Sequence, residues 1–231
     1  MTRLLVSVRS LDEARLAAAA GVDLIDLKEP RQGPLGRVTL DVALEVSRDL
    51  APANPLSMAL GELADWTPSD CDFCRQIPPG VVYAKIGLAR CAGLADWRSL
   101  WQRAIATFPS HCQPVAVAYA DWQTAAAPEP DAVLDEAAGN GCRALLIDTW
   151  RKDAGDVFAH LSVTRLRDLL DCARDSGLLT VLAGSLSLAS VERALSLSPD
   201  YLAVRGAVCE GARDADLCPA KLARWRMRVV V

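Results

Sequence analysis

Short runs of apolar and β-branched residues alternate with stretches of helical period along the whole chain. The runs predict strands over 4–8, 23–28, 55–60, 81–86, 114–119, 144–148, 179–183 and 201–205. Between and after them, apolar positions recurring every three or four residues predict helices. These fall near 11–20, 39–50, 70–77, 95–107, 131–139, 163–176, 187–197 and 219–228. Strands such as ALLI and TVLA are apolar at consecutive positions, which requires cover on both faces of the sheet. Strands alternating with helices imply a parallel sheet. Eight units averaging about 29 residues (231 divided by 8) close most naturally into an α/β fold of the (β/α)8 (TIM) barrel type.

The punctuation supports those boundaries. Gly21, Gly141 and Gly177 each follow a helical stretch and precede a strand, the place of a C′ glycine. Asp131 and Ser187 stand where helix N-caps are expected. The third unit is the weakest, because prolines and glycines interrupt 61–80. With no linker or low-complexity tract, residues 1–231 read as one domain. No G-x-G-x-x-G follows the first strand, which counts against a doubly wound dinucleotide-binding sheet.

Composition narrows the function. A net charge of -4 without a basic cluster argues against nucleic acid as a partner. The run MTRLLVSV is too short for a secretory signal, and nothing approaches the ~20 apolar residues of a membrane span. A soluble, cytoplasmic protein is therefore expected. Its eight cysteines then read as reduced, buried or incidental thiols. Cys71 and Cys74 form a lone C-x-x-C with no second pair, so no metal is expected there.

The basic residues are distributed unusually. Lysine and arginine total 25, yet the only lysines are Lys28, Lys85, Lys152 and Lys221. Three of these four fall at the ends of strands 2 and 4 and in the loop after strand 6. Barrel enzymes place their chemistry on that rim, and lysine, unlike arginine, can serve as an amine nucleophile. Strand alternation puts Leu24, Asp26 and Lys28 on one face of strand 2, and Tyr83 and Lys85 on one face of strand 4. Asp148 closes strand 6 in the same phase, and Asp121 follows strand 5. The expected mouth holds Asp26, Lys28, Lys85, Asp121, Asp148, Lys152 and Arg205. Crowding and desolvation lower a lysine's pKa and free its neutral amine for carbonyl attack, with Asp26 and Asp148 placed to move protons. The alternative is a set of ion pairs that merely close the barrel end. Position alone does not rank Lys28 above Lys85.

Small residues follow the last two strands: Ala183-Gly184-Ser185 and Arg205-Gly206-Ala207. Loops 7 and 8 commonly bind phosphate in barrels, because glycines let backbone N–H groups approach the oxygens. Gly184, Ser185, Arg205 and Gly206 are thus candidate phosphate contacts, and plain tight turns are the alternative. Gly33-Pro34-Leu35-Gly36 reads as a loop able to fold over the rim, or as an ordinary turn.

Taken in order, these segments resemble a known family. Asp26-Leu27-Lys28-Glu29-Pro30 with Gly33 and Leu35-Gly36 is similar to the second-strand signature of the (5-formylfuran-3-yl)methyl phosphate synthases of methanofuran biosynthesis, also called 4-(hydroxymethyl)-2-furancarboxaldehyde phosphate synthases. Lys85-Ile86-Gly87-Leu88, Tyr119-Ala120-Asp121, Asp148-Thr149 with Lys152-Asp153, Leu182-Ala183-Gly184-Ser185, and Val204-Arg205-Gly206-Ala207 with Cys209 continue the match. The resemblance implies a carbon–oxygen lyase condensing two glyceraldehyde 3-phosphate molecules into a furan aldehyde phosphate, with loss of phosphate and water. It implies Lys28 as the Schiff-base lysine and Lys85 as proton acceptor, with Asp26, Asp148 and Lys152 in support. It further implies no cofactor, no membrane partner, and a homo-oligomer. The chain departs from the family at Glu210-Gly211-Ala212-Arg213-Asp214, where a glycine-rich basic stretch is usual, and around 61–80. A general Schiff-base aldolase or transaldolase, and a non-catalytic phosphometabolite-binding barrel, share many of the same features.

Overall fold

A computed structural model describes residues 1–51 and 53–229. Eight parallel strands close into a barrel in sequence order, with β8 returning to β1. They are β1 (Arg3–Val8), β2 (Leu24–Leu27), β3 (Leu56–Glu62), β4 (Val81–Gly87), β5 (Gln113–Tyr119), β6 (Ala144–Asp148), β7 (Leu179–Leu182) and β8 (Tyr201–Val204). The surrounding helices are α1 (Leu11–Ala19), α2 (Leu40–Leu50), α3 (Pro68–Arg75), α4 (Trp97–Ile105), α5 (Trp122–Ala125), α6 (Pro130–Gly139), α7 (Val157–His160), α8 (Val163–Asp175), α9 (Val191–Leu195) and α10 (Pro219–Val229). Among the described residues, no helix is long and apolar enough to cross a membrane.

Strand alternation divides the buried side chains into two layers. Leu4, Val6, Val8, Ile25 and Leu27 face the helices, while Leu5, Leu24, Val115, Val117, Leu146 and Val181 fill the barrel. The lower interior is therefore apolar, and the polar inward positions come at the carboxyl ends. Gly21, Gly141 and Gly177 have φ of 72°, 68° and 76°, the left-handed turn expected at a C′ glycine.

Two cap assignments change. Glu129 occupies the N-cap position of α6, so Asp131 lies in its first turn. The seventh-unit helix is only α9, with Ser190 before it, and Ser187 instead donates its N–H to Ser190 Oγ at 3.1 Å. Two short helices, α5 and α7, lie within loops that carried no helical period in the sequence. All eight cysteines are free thiols. Cys74 is buried on α3 beside the half-buried Cys71, and burial pushes the Cys74 thiol up to about 12.

Candidate active site

A cavity of about 400 Å³ opens at the carboxyl ends of the strands. Asp26, Lys28, Lys85, Asp148 and Lys152 line it together with Gly184, Ser185, Arg205, Gly206 and Arg213. Asp26 comes inward on β2, between Ser7 and Ser57 on the flanking strands. Ser7 Oγ donates to Asp26 Oδ2 at 2.9 Å and Ser57 Oγ to Oδ1 at 2.6 Å. Lys85 of β4 forms a buried ion pair with the same carboxylate. Across the mouth, Lys152 pairs with Asp148, which also accepts the Thr149 N–H at 2.8 Å.

These neighbours decide the charge states. Burial alone would raise Asp26, but the cations of Lys85 and Lys28 and the hydrogen bonds from Lys85 and Ser57 outweigh it and hold the carboxyl below its ordinary value. Asp148 is lowered in the same way, burial being overcome by Lys152, Lys28 and the Thr149 amide. Both stay ionised. Lys28 differs. Each of the other two mouth lysines is tied to a carboxylate, whereas Lys28 has no ion pair among the described residues. Burial first, then the cations of Lys152 and Lys85, push its amine down to about 7 against the pull of Asp148 and Asp26.

The remaining expected residues have other geometries. Arg205 reaches the cavity wall, but its guanidinium is fully occupied. It pairs with Glu13 of α1 and donates to Arg213 O at 2.9 Å, Ser7 O at 3.1 Å and Ala215 O at 2.7 Å. In this structure it holds loop 8 against β1 and α1 instead of facing an anion. Asp121 is buried outside the cavity, where it accepts the backbone N–H groups of Trp150 at 2.6 Å and Arg151 at 2.8 Å. It thereby fixes the loop carrying Lys152. Gly184 takes φ of 91°, and its N–H, with those of Ser185, Gly206 and Ala207, donates to no backbone carbonyl of the described residues. All four residues line the cavity at loops 7 and 8.

Two residues escaped the sequence pattern. Arg213 of loop 8 lines the cavity. Glu62 is buried at the end of β3, where it accepts Tyr119 Oη at 2.6 Å and the Ala89 N–H at 2.9 Å. Burial raises its carboxyl above the ordinary value. The register slips between Ala59 and Glu62, with Gly61 at φ 85°, and this turns Glu62 from the helix side toward Tyr119. Tyr119 in turn meets Trp150 edge-on, with ring centroids 5.8 Å apart. The 33–36 loop does fold over the rim: Leu35 is buried with the barrel interior and its carbonyl accepts the Gly61 N–H at 2.9 Å.

The sequence model of the 4-HFC-P synthase family matches residues 4–226. The (5-formylfuran-3-yl)methyl phosphate synthase of Archaeoglobus fulgidus is 30% identical over 220 residues, covering 92% of this chain and 93% of that one. The enzyme of the same name from Methanopyrus kandleri is 30% identical over 227 residues, 96% of each chain. Among solved structures, phosphoribosyl anthranilate isomerase from Thermus thermophilus superposes with a TM-score of 0.67 at 18% identity, over 98% of both chains. The 3-hexulose-6-phosphate synthase of Salmonella typhimurium gives 0.66 at 17%, over 98% of this chain and 99% of that one. These two likenesses establish the barrel alone.

Proposed function

We propose that this chain, which belongs to the 4-HFC-P synthase family, condenses two glyceraldehyde 3-phosphate molecules into (5-formylfuran-3-yl)methyl phosphate through a Schiff base on Lys28. This is a carbon–oxygen lyase reaction of methanofuran biosynthesis. The observation that carries it is Lys28 itself: a buried amine lowered to about 7, between two ionised carboxylates yet paired with neither, opening onto the cavity.

A neutral Lys28 attacks the aldehyde carbon and loses water to give an iminium, an electron sink for the adjacent C2–H bond. The Lys85–Asp26 pair is placed to take that proton, and the Lys152–Asp148 pair to deliver protons opposite. Loss of the C2 proton lets phosphate leave C3. That leaves C3 the electrophilic end of an unsaturated iminium. The second triose phosphate loses its own C2 proton, its enediolate C2 bonds to that C3, and the C2 oxygen of the first triose closes on C1 of the second before dehydration to the furan. Two triose phosphates reach the product by losing one phosphate and two waters in all. Hydrolysis of the imine then releases the aldehyde and returns Lys28. The backbone amides of Gly184, Ser185, Gly206 and Ala207 hold one phosphate.

The test is borohydride trapping with glyceraldehyde 3-phosphate, peptide mapping, and assays for furan absorbance and released phosphate. A reduced adduct on Lys28 is expected, together with both products. Lys28→Arg keeps the charge but should abolish the adduct and lower turnover by about 10^4-fold or more. An open-chain sugar phosphate as product would instead assign a general aldolase. No adduct in the wild type would sink the Schiff-base chemistry altogether.

A further inference from the structure

The proposed reaction brings two phosphorylated molecules into one cavity, and the loop 7 and 8 amides account for one phosphoryl group. The charged side chains around the mouth are nearly all committed. Lys85 and Lys152 are tied to Asp26 and Asp148, and Arg205 to Glu13. Apart from Lys28, whose amine is lowered to about 7, Arg213 is the one basic residue lining the cavity without a carboxylate partner among the described residues. Its Nη1 donates to Pro30 O and its Nη2 to Gly33 O, both at 3.3 Å. Two long bonds to neutral carbonyls are weak ties for a guanidinium, which prefers a bidentate anion. Burial also lowers its pKa, the direction expected of a cation whose charge is incompletely compensated.

The loop that presents Arg213 is firmly built. An isolated bridge joins Cys209 to Leu217, and Lys221 Nζ donates to Cys209 O at 2.6 Å. Arg205 donates to Ala215 O at 2.7 Å, and Arg9 bonds Asp214 O and Asp216. Three cations thus anchor the base of this hairpin, while a fourth crosses from β8's side of the mouth to the loop after β2. The Arg213 backbone lies beside Gly206, and from there its guanidinium reaches the Pro30 and Gly33 carbonyls of the loop that follows Lys28.

We propose that Arg213 is a second phosphate site, binding the phosphoryl group of the triose that is not held as the Lys28 imine. This assignment rests on the two-triose reaction proposed above. The imine fixes the first triose covalently, with its phosphate on the loop 7 and 8 amides. The second triose has no such tether, and Arg213 supplies the missing contact by exchanging two carbonyl oxygens for phosphate oxygens. Arg213 is then a substrate-binding residue that also selects for a phosphorylated partner.

Inorganic phosphate provides the probe, titrated into the whole protein and followed by 31P NMR and by inhibition of furan formation. Wild type should bind two phosphates, and Arg213→Gln one. A folded Arg213→Gln protein that still bound two phosphates would mark the role of Arg213 as merely structural. Arg213→Lys should regain the second site with weaker affinity. In Arg213→Gln the borohydride adduct on Lys28 should persist, while furan formation at low substrate falls about 10–100-fold, the range of one charge-assisted contact. Two sites in the variant, or a single site in the wild type, would overturn the assignment. So would loss of the Lys28 adduct in the variant, because Arg213 would then serve the first triose. Failure of adduct formation in the wild type would count against the imine alone, since phosphate stoichiometry reads Arg213 independently.

Discussion

Arg205 at the end of β8 and Lys28 at the end of β2 are buried to the same degree, 6% and 7% exposed, but their surroundings are opposite. Arg205 meets Glu13 twice and three backbone carbonyls besides, so every donor of its fork is engaged. Lys28 faces an open cavity without a partner of its own, its neighbouring carboxylates already occupied by Lys85 and Lys152. Burial that is fully compensated produces a strut. Burial left uncompensated lowers a lysine's pKa to about 7, the state that the proposed Schiff-base role of Lys28 requires. Arg205 thus braces a corner of the barrel, whereas Lys28 sits where its amine gives up its proton more readily.

The comparison can be broken first on the arginine side. Arg205→Met leaves Glu13 buried without its partner and loosens loop 8, so it should destabilise the fold by about 3–5 kcal/mol. Denaturant unfolding measures this, and a change below about 1 kcal/mol would deny Arg205 its structural role.

Lys28→Met should act in the opposite sense, stabilising the protein by about 1–2 kcal/mol near neutral pH while removing activity. Between the folded pKa of about 7 and the ordinary 10.5, the unfolded chain holds a proton that the folded chain has released. Lys28 therefore opposes folding most below pH 7, and this opposition fades as pH rises through that window. The gain in Lys28→Met should shrink accordingly, and a gain independent of pH would mean the amine is not the cause.

The smallest effect concerns the titration itself. Single-turnover trapping should speed up as pH rises through about 7 and level off above it, following the neutral Lys28 amine. In Lys85→Met the loss of a neighbouring cation should move that inflection upward, since the Lys85 charge lowers Lys28. A downward move would show that Lys85 acts on Lys28 by something other than its charge.

Much of the mouth was legible in advance for a simple reason. A regular strand alternates faces, so once β2, β4 and β6 are recognised the inward phase of Asp26, Lys85 and Asp148 follows. Glu62 was hidden because a bulge breaks that phase, and the glycine at position 61 within a strand was its one signal. Arg205 and Arg213 could not be sorted because both sit in or beside the irregular loop 8, where sequence spacing carries no direction. Asp121 was placed near the right loop, but its bonds to the Trp150 and Arg151 amides depend on the path of the loop after β6.

The sequence by itself determined the eight alternating units, the barrel they close into, and which strand residues turn toward its axis. Those features follow from periodicity, a property of neighbouring positions along the chain. Only the tertiary structure decided how the cations divide. Lys152 finds Asp148 at the end of the strand before it, Lys85 finds Asp26 two strands away across β3, and Arg205 finds Glu13, 192 residues away in sequence. Lys28 is left without a pair, and Arg213 is left with carbonyls. Partnership between charges depends on distance in space, and the lysine at the end of β2 acquires its chemistry from that arrangement.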